Sequence, residues 1–150
     1  MIQVLKAFLA AVLLTYVIGS IFSTQVILAS LQDMGVDVAM AVRMSAIFQD
    51  LVGLTSSYLV LIAVAFVLGL PVASGLSRLM PANRTALFML AGFVAIVSLH
   101  LILKAVLGLS GIASTRTMAG LLIQGLAGAA GGYIYCRISA STGDQTQALK

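Results

Sequence analysis

A chain of 150 residues that is 61% hydrophobic and 8% charged stands far from a water-soluble domain, which carries about 25% charged and about 45–50% apolar residues. No soluble core of this size hides so much apolar surface, so the solvent of this chain is mostly lipid. The net charge of +4 is small and scattered, which argues against nucleic acid as a partner and leaves the basic residues to report orientation in a membrane.

Four runs meet the roughly 20 apolar residues that a spanning helix requires: residues 7–29, 51–70, 86–107 and 118–136. Backbone groups in lipid must be satisfied within helices or closed barrels, and uninterrupted apolar runs without two-residue alternation exclude the barrel. The expected fold is therefore an all-α membrane protein, a bundle of four transmembrane helices.

Lys6 before the first run gives it some likeness to a signal peptide. The run continues to Leu31, however, beyond the about 7–15 residues of an h-region, and no small-x-small cleavage site follows, so it reads as a retained span. Ala7, Ala11, Thr15, Gly19 and Ser23 recur every four residues along it. Such a ridge of small side chains lets helices approach closely in lipid, where packing rather than the hydrophobic effect drives association. Tyr16, Ser20 and Thr24 run beside the ridge, and Gln25 comes next near the outer end.

Gly35 is a stop for the first helix and Asp37 an N-cap for the next one. Met40, Met44, Ile47, Phe48 and Leu51 fall at i, i+4, i+7, i+8 and i+11, while Arg43, Ala46, Gln49 and Asp50 take the other face. This pattern describes an amphipathic interfacial helix between the first two spans; a plain extension of the second span fits it equally. The second span opens on Thr55, Ser56, Ser57 and Tyr58, and Pro71, Gly75 and Pro81 are expected to break the chain after it, with Asn83 capping the third helix. The fourth helix is expected to start from Ser114, with Arg116 in its first turn. Gly120, Gln124, Gly128 and Gly132 form one ridge of it, and Gly125 and Ala129 its neighbour. This glycine-rich helix is the expected contact for a homo-oligomer or a partner membrane subunit. Tyr133 and Tyr135 read as an inner interfacial belt, and residues 138–150 as a mobile cytoplasmic tail.

On this topology Lys6, Arg78, Arg84, Arg137 and Lys150 lie on one side, and Arg43, Lys104 and Arg116 on the other. Positive charge prefers the cytoplasm, which puts both termini inside and suggests a plasma membrane of bacterial type, the bacterial inner membrane. The polar residues Arg43, Gln49, Asp50, His100, Lys104 and Arg116 then gather toward the extracytoplasmic side. Ionisable groups within a span usually face protein or water and mark function. Each also has a plainer reading. Lys104, one turn from its helix end, can snorkel as an anchor; His100, two turns in, can hydrogen-bond a neighbouring helix; Arg43 and Asp50 can form a solvated pair.

One His and one Cys in the whole chain, on opposite sides, supply no metal site, and no phosphate loop or nucleophile elbow appears. No cofactor is expected. The leading expectation is a non-enzymatic protein that binds or passes an anionic lipid or small molecule at Arg43, Gln49, Asp50, His100, Lys104 and Arg116, or that serves as a subunit of a membrane complex. Membrane lipids are its expected partners. The alternatives are a membrane-embedded enzyme using His100 as acid/base with Asp50 or Lys104, and a cofactor-holding subunit.

Overall fold

The computed structural model describes residues 2–35, 39–53, 57–107 and 117–147, with the side chains of 107 and 141–147 left aside. Its elements are α1 (Ile2–Asp33), α2 (Met40–Gly53), α3 (Tyr58–Leu79), a 3-10 turn (Pro81–Asn83), α4 (Arg84–Leu107) and α5 (Met118–Gln147). Four of these helices, α1, α3, α4 and α5, are long and apolar enough to cross a membrane. The polarity of the bundle suits lipid: Leu13, Leu68, Leu90 and Leu126 are at least half exposed, whereas Thr15, Ser20, Thr24, His100 and Gln124 are buried. Lipid is a good solvent for the first group and a poor one for the second.

Helix α5 lies between α1 and α4, and α3 packs chiefly on α4 and less extensively on α1. Close approach explains this order. A Cβ on Gly92 of α4 would overlap the Gly128 carbonyl of α5, and one on Gly132 would overlap the Phe88 carbonyl. On the adjacent face of α5, a Cβ on Gly131 would overlap Thr15 Oγ1 of α1. The small residues Ala7, Ala11, Thr15, Gly19 and Ser23 of α1 are all buried. Both glycine faces of α5 are thus occupied within the chain, and its outward side is Leu122 and Leu126. Between α1 and α3 a groove of about 470 Å³ remains, lined by Phe8, Phe66, Val67, Leu70 and Pro71 among others.

The helix ends bear on the sequence reading in four places. First, Gly35 does end α1, with φ of 83° and its N–H donated to the Gln32 carbonyl at 2.9 Å, but the expected cap Asp37 lies outside the described residues. Second, the span expected at 51–70 is displaced: α2 keeps the chain through Gly53 and α3 runs Tyr58–Leu79, straight through Pro71 and Gly75. Thr24 and Tyr16 of α1 hold Asp50 and the Leu51 carbonyl, so these residues belong to α2. Pro71 removes one N–H, and the turn around it is held by Leu70 and Ala73, buried in the core; spanning helices tolerate such a gap. Third, α5 is capped by Thr117, whose hydroxyl accepts the Gly120 N–H at 3.1 Å, while Ser114 and Arg116 lie outside the described residues. Fourth, the backbone of α5 stays helical from Arg137 to Gln147. Tyr135 also proves to be a core residue, 9% exposed and tilted against Phe88 at 5.3 Å; only Tyr133 meets a charge, accepting from Arg137 Nε at 2.9 Å.

Candidate functional site

The interior of the bundle divides into two halves. In one, Ile62, Phe66, Phe88 and Ile96 are at most 2% exposed and fill the space between the helices. In the other, every long helix contributes polar groups to one layer. Tyr58, the first residue of α3, donates its hydroxyl to Gln124 Oε1 of α5 at 2.9 Å. Gln124 Nε2 in turn donates to the Gly19 carbonyl of α1 at 2.9 Å. The absence of a side chain on Gly19 makes room for this amide, since a Cβ there would stand 2.7 Å from Gln124 Oε1. The pattern of small residues along α1 therefore places a carbonyl where a buried glutamine, 1% exposed, can reach it.

His100 continues the buried ridge Phe88, Gly92, Ile96 of α4. Its Nδ1–H donates to the Ile96 carbonyl at 2.8 Å, one turn back along its own helix. The imidazole and the Tyr58 ring meet in an edge-to-face arrangement with centroids 5.8 Å apart, and the Tyr58 and Tyr16 centroids are 6.1 Å apart. His100 Nε2 is buried without a hydrogen-bonding partner, and so is Ser20 Oγ. An unsatisfied buried polar group costs about 1–3 kcal/mol. Two in a single layer stand out in a chain whose buried side-chain amide, Gln124, is engaged at both ends.

Helix α2 approaches this layer from α1. Thr24 Oγ1 lies 2.6 Å from Asp50 Oδ2 and 3.0 Å from the Ser20 carbonyl; with a single hydroxyl proton, it serves these two acceptors in alternation. Tyr16 donates to the Leu51 carbonyl. Arg43 Nη1 donates to Gln25 Oε1 at 3.2 Å, a neutral partner that orients the guanidinium and leaves its charge in place. On the outer surface of α2, Met40, Met44 and Phe48 are more than half exposed.

The residues singled out in the sequence are thus distributed over separate positions. Arg43 and Asp50 both attach α2 to α1, each through a neutral α1 side chain. Gln49 is exposed and donates from Nε2 to Ser45 Oγ at 3.3 Å. Lys104 is exposed in the last turn of α4. His100 is inside the bundle, 4% exposed, and Arg116 lies outside the described residues. Tyr16, Ser20 and Tyr58 complete the polar layer with Gln124; in sequence the first three read as packing or interface positions, and Gln124 as a helix-to-helix hydrogen bond. The signal that finds them is the i, i+4, i+8 series Tyr16, Ser20, Thr24 beside an established helix-packing ridge. Among the described residues no three His, Cys, Asp or Glu side chains gather in a metal-binding group. No protein-family model, curated protein or solved structure matches this chain.

Proposed function

We propose that this chain is a small, non-enzymatic, multi-pass membrane protein that binds an anionic lipid headgroup or small anion at the end of the bundle carrying α2. The observation that carries the reading is Arg43, a guanidinium oriented by the neutral side chain of Gln25. It stands on a helix whose apolar face of Met40, Met44 and Phe48 is open. A cation beside an open apolar face is the combination by which interfacial helices hold anionic membrane surfaces. In this reading α2 lies in the interface, Lys104 and Arg116 extend the basic rim, Gln49 and Asp50 border it, and both termini are cytoplasmic in a bacterial-type inner membrane. Binding is favoured over passage because Ile62, Phe66, Phe88 and Ile96 leave no polar route through the other half.

Lipids retained through purification by wild type and by Arg43→Ala/Arg116→Ala test this. The expected outcome is a several-fold loss of anionic lipid in the variant; equal retention overturns the reading. Competition by inorganic phosphate separates a free anion from a lipid headgroup. A role as a subunit of a membrane complex fits the same exposed α2 face, with the partner replacing lipid there. The enzymatic alternative, His100 as acid/base, draws on the unpartnered Nε2, but Asp50 is engaged by Thr24 and Lys104 is exposed.

A further inference from the structure

The groove between α1 and α3 leads along α3 toward Arg78. Leu5 and Phe8 of α1 and Val67, Leu70 and Pro71 of α3 line its about 470 Å³, a volume within the about 300–1,000 Å³ of small-molecule sites. Further along the same helix pair Tyr16 meets Tyr58, so α1 and α3 run antiparallel and Leu5 stands toward the C-terminal end of α3. The groove residues Val67, Leu70 and Pro71 are followed by Ser74 and Arg78, at i+7 and i+11 from Val67, which keeps all five on one face of α3. Arg78 is exposed. The other cations of this end are turned elsewhere: Arg84 donates to Ser139 Oγ at 3.1 Å, Arg137 donates to Tyr133, and Lys6, two residues before Phe8, takes the far side of α1. The carboxylates with described side chains, Asp33 and Asp50, belong to the opposite end. Only Asp144 stands on this side, about 10 Å beyond Arg137 along α5.

We propose that the α1–α3 groove is a binding site for an anionic phospholipid, with one acyl chain lying between Phe8 and Val67 and the phosphate on Arg78. In a bilayer an apolar groove is filled by acyl chain, and the charge at its end selects the headgroup. The dimensions agree: the eleven residues from Val67 to Arg78 rise about 16 Å, against about 15 Å of hydrocarbon in one leaflet. A guanidinium at the end of that stripe presents paired N–H donors to a phosphate. The site does not depend on the anion-binding reading, because it lies at the opposite end of the bundle and Arg43 takes no part in it.

The chain contains no tryptophan, so Val67→Trp, at a position 57% exposed, places a lone fluorophore in the groove. Full-length protein is reconstituted in bilayers of equal phosphatidylcholine and phosphatidylglycerol, with brominated chains on one lipid or the other. Quenching by brominated phosphatidylglycerol is expected to exceed that by brominated phosphatidylcholine, corresponding to an about fivefold preference, the contribution of one arginine beside an anionic headgroup. Arg78→Gln should remove the preference and keep quenching by both lipids. Leu90→Trp, on α4 and outside the groove, should show no preference. Equal quenching by the two lipids at Val67→Trp, a preference that survives Arg78→Gln, or an equal preference at Leu90→Trp overturns the proposal. Leu5→Trp repeats the measurement from the opposite wall should Val67→Trp fail to fold. Arg43→Ala is expected to leave this preference unchanged while losing anionic lipid at the α2 end, so the two readings fail separately.

Discussion

Gln124 joins three helices through two hydrogen bonds, accepting from Tyr58 and donating to the Gly19 carbonyl. Such bonds between spanning helices average about 0.6 kcal/mol and reach about 1.7. Replacement by Leu keeps the volume and removes both. Gln124→Leu is therefore expected to cost about 1–2 kcal/mol, read as a lower denaturant midpoint in mixed micelles. Tyr58→Phe removes only one of the two bonds and should cost less. Equal stability of wild type and Gln124→Leu would show that the layer is not held by this amide. In sequence, Gln124 is recognisable as an interhelical hydrogen-bonding side chain. Its partners are not, because a glutamine can find a hydroxyl or a carbonyl on any neighbouring helix. Likewise Lys104 and His100 are one turn apart in sequence yet differ completely in exposure.

Among the elements, α4 and α5 meet most closely. The backbones of Gly92 and Gly128 face each other, and a Cβ on either would overlap the other's carbonyl. Gly92→Ala and Gly128→Ala should each destabilise the bundle by about 1–3 kcal/mol, the usual cost of overpacking. Because they act on one contact, the double variant should lose less than the sum of the two. Strict additivity in a double-mutant cycle would argue that the helices meet elsewhere. The glycine periodicity of α5 is visible in the sequence and marks a packing helix. It cannot tell which neighbour each face receives. Here α4 takes Gly128 and Gly132, and α1 takes Gly131. Pro71 misleads for a related reason: a breaker in water is tolerated in a spanning helix whose surrounding turn is packed, as Leu70 and Ala73 are.

For the whole molecule the asymmetry between ends is the main feature, with Lys6, Arg78, Arg84 and Arg137 at one and the α2 helix at the other. The proposed orientation rests on the charge bias alone. In a Cys136→Ser background, a cysteine at position 104 should react with a membrane-impermeant thiol reagent added outside intact cells. A cysteine at position 78 should react only after permeabilisation. The reverse pattern would move the α2 end, and the anion site with it, to the cytosol.

What the chain determined alone is its solvent and its four long apolar helices, because helix formation and hydrophobic length are local properties that lipid enforces on each segment separately. The grouping of Tyr16, Ser20, Tyr58, His100 and Gln124 came only with the tertiary structure. The hydrogen bonds around Gln124 join residues 66 and 105 positions apart in sequence. No local periodicity encodes which turn of one helix will stand opposite which turn of another; that is settled by where small residues let the backbones close in.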